Sequence, residues 1–199
     1  MRTSLLFSAL LFLGACSVET DIIYDDQFDF SRLDTAGKEL PEKTGPWACL
    51  RDNRSGLLWE VKSDDESVRH YTATFSWYEP NATNHREKGF RDKGSCHPSM
   101  RGQCDTAGYI EALNKLQLCG KSNWRLPTRK ELQSLLELRV PPPGPLVPPE
   151  TFPNTRRSGY WTSEEGPAYS GTAWSVSFAD GQAAMYKKSS AFYLRLVSN

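Results

Sequence analysis

Beyond its first fifteen residues the chain lacks a long apolar run, and a helix that crosses a bilayer needs about twenty such residues in succession. No membrane-spanning helix is expected there. An excess of either charge is also missing, with 24 lysines and arginines against 24 aspartates and glutamates. Such a balance gives no global pull toward nucleic acid or an anionic membrane surface. Histidine is scarce, and His70, His85 and His97 lie scattered in polar surroundings. No serine or cysteine nucleophile signature accompanies them, so a hydrolytic triad has no support and exposed imidazoles are the plainer account. Cysteine is absent after Cys119.

The N-terminus is where apolar residues do run together. Arg2 precedes a stretch from Leu5 to Leu13 that ends in small residues, the layout of a secretory signal. Its end, Leu13-Gly14-Ala15-Cys16, resembles the lipobox of bacterial lipoproteins, in which the cleaved chain starts at a cysteine carrying a diacylglycerol thioether. Residues 1–15 are therefore expected to be removed and Cys16 lipidated; an ordinary signal peptide with a chance cysteine is the other reading. Each buried methylene of an acyl chain contributes about 0.8 kcal/mol, so several chains hold a protein firmly on a membrane. By resemblance to the sorting rule of Gram-negative envelopes, Ser17 after the lipid cysteine favours the outer membrane. Removal of Arg2 would leave the basic side chains one short of the 24 acidic ones. Four cysteines then remain, Cys49, Cys96, Cys104 and Cys119. In an exported chain an even number reads as disulfides, with three connectivities open.

Residues 16–45 carry Glu19, Asp21, Asp25, Asp26 and Asp29 and then Gly37, Pro41 and Gly45, which reads as an acidic tether and lead-in. A domain over residues 46–199 opens at Trp47 and Cys49. "DNRSGLLWEVK", from Asp52, is a turn rich in Asp, Asn and Gly feeding a strand through Leu58 and Trp59. Residues 72–101 show no sustained period and are expected to form a long irregular loop.

Ala107, Ile110, Leu113, Leu116 and Leu118 then recur at near-helical spacing up to Gly120. A second helix is expected from Thr128, whose hydroxyl can accept from the amide three residues on while Glu131 reaches back. Pro127 keeps the preceding backbone extended, and Leu132, Leu135 and Leu136 supply the buried face. Seven prolines between residues 140 and 153 forbid a central strand. The last fifty residues read as four strands: "GYWTSEE", two joined at Asp180-Gly181, and "FYLRLVS". In the second strand Trp174, Val176 and Phe178 are expected to face the core and Ser175 and Ser177 the solvent. The fold class is α+β, two helices with a compact antiparallel sheet.

"CLRDNRSGLLWEVK", "ALNKLQLCGKSNWRLPTRKELQSLL", "FPNTRRSGYWTSE", "AWSVSFADGQ" and "YLRLV" occur in the order and approximate spacing of the Lcl C-terminal domain family, which this chain resembles from about Trp47 to Val197. The resemblance implies a C-type-lectin-like fold related to the formylglycine-generating enzyme domain. It also implies an exported bacterial protein and a domain associated with adhesion and the binding of sulfated glycans. Collagen-like repeats, present in the family's namesake, are absent here. The related enzymes bind copper through two late cysteines, and with none after Cys119 that chemistry is not expected.

Zinc held by Cys96, His97 and Cys104 is conceivable from ligand softness, but the spacing fits no four-ligand pattern and the compartment is oxidising. Disulfides are the preferred reading. Cys96 with Cys104 would pin the long loop, and Cys49 with Cys119 would tie the opening strand to the end of the first helix, each stabilising by about 2 to 4 kcal/mol. Glu79-Pro80-Asn81 matches the calcium-dependent sugar motif of animal lectins in letters only, since it lies far too early in the chain. No catalytic residue, metal or cofactor is assigned.

For a glycan the useful chemistry is an aromatic face with Arg or Lys for anionic groups. Trp77, Tyr78, Arg86, Lys88, Arg91 and Lys93 offer both within the long loop; Arg156, Arg157, Lys187 and Lys188 offer a second basic patch if the sheet gathers them. Glu79, Glu87 and Asp92 interleave with the first set, as on an ordinary mixed-charge surface. "NWRLPTRKEL" is read as architecture: Trp124 is expected between helices and sheet, and Arg125 held by a carboxylate or carbonyls. The expected function is a lipid-anchored outer-membrane protein with a non-catalytic ligand-binding domain. Its partners would be the membrane and a glycan or envelope protein, with no nucleic acid. A structural subunit of an envelope assembly and an enzyme of unrecognised type are the alternatives.

Overall fold

Asp52 makes the first tight connection of the fold in the computed structural model, which describes residues 29–41, 44–138, 140 and 142–199. Cys16 and the signal segment lie outside the described residues. The Asp52 carboxylate accepts from the Arg54 and Ser55 amides at 2.9 and 3.3 Å, and Gly56 takes φ 76°. This local turn, of the kind that Asp and Gly favour, joins strand β2 (Cys49–Asp52) to β3 (Leu58–Glu60). β1 (Phe30–Leu33) pairs with β2, so the sheet reaches back into the segment read as a lead-in. The two-residue strand β7 (Val197–Ser198) closes the sheet on β3, in the order β1-β2-β3-β7, antiparallel throughout.

A second sheet holds β4 (Gly159–Glu165), β5 (Thr172–Ser177) and β6 (Ala183–Lys187), with the Asp180-Gly181 turn between the last two. The expected fourth strand of this sheet leaves it: Phe192 and Tyr193 make single bridges to Phe75 and Tyr160, and the chain then crosses to β3. Ser175 is buried and Trp174 half-buried, contrary to the simple alternation. The reason is that β5 is the central strand and is covered on both sides, with α3 (Arg129–Gln133) lying against β4 and β5.

α1 (His85–Lys88) is a single turn inside the long loop. α2 (Thr106–Leu116) starts at Asp105, whose carboxylate accepts from the Gly108 amide at 2.9 Å, and stops at Gln117 in the left-handed region. Its buried face is Tyr109 and Leu113, while Leu116 is 60% exposed. α3 begins with the full capping box of Thr128 and Glu131. Cys49 is bonded to Cys119 and Cys96 to Cys104. Together these features make a disulfide-stabilised α+β domain.

The long loop is not a surface excursion. Phe75, Ser76 and Trp77 are buried, and two indoles stitch the loop to β4: Trp77 Nε1 donates to the Thr162 carbonyl and Trp161 Nε1 to that of Phe75, at 2.9 and 2.8 Å. One core cluster gathers Trp124, Trp161, Tyr109 and the Cys49–Cys119 bridge. The other gathers Trp59, Tyr160, Phe178 and the leucines after α3.

Candidate functional site

Trp124 is 1% exposed. Its amide donates to Asn114 Oδ1 at 2.6 Å and its indole N–H to the Leu118 carbonyl at 3.1 Å, so α2 and the turn that follows it both grip it. Arg125 pairs through its backbone with Val197. Its guanidinium donates to both oxygens of Glu131 at 2.9 and 2.8 Å, and also to the Leu126 carbonyl and Asn199 Oδ1. Those bonds from Arg125, more than the Thr128 amide, hold the Glu131 carboxyl below its usual range, and the same bonds raise the Arg125 pKa. The Pro127 carbonyl accepts from the Ser163 amide at 2.8 Å. One short stretch thus joins α2, α3, β4 and β7.

Beside this stretch runs a groove of about 660 Å³. The long loop contributes Tyr78, Glu79 and Asn81 to it, and α2 contributes Ala107, Ile110 and Glu111. Leu126, Thr128 and Ser163 complete the lining. Side-chain spacing explains the α2 contribution: Ala107, Ile110 and Glu111 are three and four residues apart and so share one helix face. The lining therefore combines the apolar side chains of Ala107, Ile110 and Leu126 with one half-buried phenol ring and with carboxylate, amide and hydroxyl oxygens.

The expected aromatic and basic set is only partly assembled here. Trp77 touches the groove but is 3% exposed and committed to Thr162, so it is a core residue and no sugar platform. Arg91 leans over the Tyr78 ring at 5.5 Å and lies 3.9 Å from Asp105. Lys88 meets Glu79 through its main-chain carbonyl, Lys93 is exposed, and the Arg86 side chain lies outside the described residues.

The second basic patch does not form. Arg156 and Arg157 precede β4 at the end where Gly159 pairs with Ser177, whereas Lys187 pairs with Thr172 at the other end of β5. Lys188 is 1% exposed, bound to Glu165 at 2.6 Å and stacked 4.1 Å over Trp77. Its burial makes it a structural cation. Arg156 and Arg157 instead line a separate open cleft of about 510 Å³ with Pro143, Pro145 and Tyr193.

The zinc alternative fails on geometry, because Cys96 and Cys104 are bonded to each other. His97 Nδ1 accepts from the Ser99 amide at 3.2 Å, and His70 Nδ1 from the Thr72 amide at 3.3 Å. A backbone N–H can only donate, which assigns the proton of each neutral ring to Nε2 and removes that lone pair from metal binding. Among the described residues no group of three or more His, Cys, Asp or Glu side chains is placed to hold a metal ion.

One polar cluster escaped the sequence reading. Glu60, Lys62, Tyr109 and Arg195 are all buried. Lys62 Nζ lies 2.7 Å from the Tyr109 hydroxyl, to which it donates, and 2.8 Å from Glu60 Oε1; the Tyr109 hydroxyl donates to the same carboxylate. The Leu196 amide donates to Glu60 Oε2 at 3.0 Å. Arg195 donates to the Glu60 carbonyl and to Thr155 Oγ1 and stacks 4.4 Å from Phe152, while its Nε has no protein partner. Burial lowers the Lys62 pKa to about 8 against the pull of Glu60. Burial raises that of Tyr109, with Glu60 adding to the rise. A signal was present in "LWEVK": charges at alternate positions of an otherwise apolar strand share one face. The cluster cross-braces β3, α2 and the C-terminal segment.

Among curated proteins the chain has no significant match. The family model described as the Lcl C-terminal domain matches residues 48–198, a span that holds the groove, both disulfides and the Trp124–Glu131 brace. This chain belongs to the Lcl C-terminal domain family.

Proposed function

We propose that this protein is a lipid-anchored component of the cell envelope, attached to the outer membrane through Cys16, whose lectin-like domain binds a glycan without transforming it. The observation that carries the reading is the groove, whose lining puts a phenol ring at Tyr78 and apolar Ala107, Ile110 and Leu126 together with oxygens of Glu79, Asn81, Glu111 and Thr128. A sugar ring offers the complementary surfaces, one apolar face and a hydroxyl edge. Adhesion follows if that glycan lies on a neighbouring surface. Loops held by disulfides suit recognition because the chain is ordered before the ligand arrives.

Glycan-array binding by the full chain in detergent tests the reading. Tyr78→Ala should lower binding at least about tenfold, the effect of losing a central aromatic contact; a chain that captures no glycan would remove the reading. A second reading, a subunit of an envelope protein assembly, draws on edge strand β6, where Met185 and Tyr186 are 45% and 44% exposed. Pull-down from envelope extract separates the two, since an assembly partner would be lost on Tyr186→Ala and not on Tyr78→Ala.

A further inference from the structure

We infer that the Cys96–Cys104 disulfide is a thiol-exchange site, opened at Cys96 by a dithiol, whereas Cys49–Cys119 is a permanent staple. Access to the two bonds carries the distinction. Cys49 and Cys119 are 0% and 5% exposed and sit in one core cluster with Trp124 and Tyr109. Cys96 is the one bridged cysteine that is not buried, and it lines an open cavity of about 360 Å³ beside Glu66, His70 and His97. Its partner Cys104 is 7% exposed and does not line that cavity. Thiol exchange requires the attacking thiolate to reach a sulfur, and Cys96 offers the way in.

The lengths of chain closed by the two bonds point the same way. Cys49 and Cys119 are 70 residues apart in sequence, Cys96 and Cys104 only 8. A bridge restrains the unfolded chain more strongly the longer the loop that it closes, so opening the short one leaves the fold standing. The reduced pair is also accommodated. The Met100 carbonyl lies 3.8 Å from Cys96 Sγ and 3.9 Å from Cys104 Sγ, close at hand for the weak S–H donors that reduction creates.

In the exchange a thiolate of the dithiol attacks Cys96 Sγ, a mixed disulfide forms and Cys104 leaves as a thiolate. The second sulfur of the dithiol, as its thiolate, attacks the first within that mixed disulfide and releases Cys96. The dithiol gives up two electrons and two protons and closes to its own disulfide, while the cysteine pair takes them up as two thiols. What loosens is the seam between the long loop and α2. The Cys104 carbonyl accepts from the Ser76 and Gly94 amides, and its amide donates to Asp92. Asp105, the cap of α2, accepts from the Asp92 amide at 3.2 Å. The exchange does not depend on which ligand the groove takes.

The test treats the folded full chain in detergent with graded dithiothreitol, blocks free thiols with iodoacetamide and maps the alkylated cysteines by peptide mass spectrometry. Cys96 and Cys104 should be alkylated together at least about tenfold faster than Cys49 and Cys119, because exchange follows access to sulfur. Hydrogen exchange should rise over residues 91–105 of the selectively reduced chain and stay low around Trp124. Equal rates for the two bonds, or earlier opening of Cys49–Cys119, would overturn the inference. Single thiols report which sulfur is attacked. With glutathione disulfide, Cys104→Ser should be modified at Cys96 at least about tenfold faster than Cys96→Ser is at Cys104; equal or reversed rates would overturn the assignment of Cys96. Unchanged hydrogen exchange over residues 91–105 would overturn the loosening of the seam.

Discussion

Glu131 and Glu60 each hold a small polar cluster together, yet they do so in opposite settings. Glu131 accepts from Arg125 and Thr128, neighbours in sequence, at the protein surface. Glu60 accepts from Lys62, Tyr109 and Leu196, drawn from three separate segments, with no solvent access. The first cluster orders a helix start that the local chain already favours. The second holds distant segments in one arrangement and depends on every partner arriving, because a buried charge without its counterpart costs far more than an exposed one.

Substitutions at the two glutamate clusters should therefore differ in scale. Glu60→Gln leaves Lys62 and Arg195 buried with no compensating carboxylate and should destabilise the domain by about 3 to 5 kcal/mol in urea unfolding. Adding Lys62→Met should recover part of that loss; no recovery would mean that the charge imbalance is not the cause.

A pH series probes the same cluster more gently. The folded-state pKa of Lys62 is lowered to about 8 from 10.5, so between these values the unfolded chain keeps a proton that the folded chain has released. Stability should rise as pH increases from 8 to 10 and should be lowest with respect to this group below 8. The raised pKa of Tyr109 opposes the trend only above its ordinary value of 10.0. Lys62→Met should flatten the rise, and a parent chain with no rise would contradict the assignment.

At the surface cluster, Thr128→Ala removes the hydroxyl that accepts from the Glu131 amide and should cost about 1 kcal/mol. A loss as large as that of Glu60→Gln would erase the contrast between local and long-range bracing.

Features written within about ten residues were legible. The capping box at Thr128, the Asp52 turn and the Asp180-Gly181 hairpin each stand where residue chemistry placed them. Features that require knowing a neighbour were not. The period of α2 suggested Leu116 as a core residue, but the helix presents Tyr109 inward because Glu60 and Lys62 wait there. The candidate site was half legible: Tyr78 lies in the groove, while Trp77 and Lys188 were drawn into the interior by Thr162, Glu165 and each other.

Cysteine number, turn and capping chemistry and local periodicity were enough to specify an α+β domain closed by disulfides, since each acts through nearby atoms or simple composition. They left open which sheet receives the last strand and which cations, Lys188 and Arg125 among them, are used up in pairing. Those outcomes depend on which distant surfaces exclude water together. The Val197–Ser198 strand pairs with β3, bringing Arg195 under Glu60 and Arg125 beside Asn199, an arrangement that exists only once the whole chain has packed.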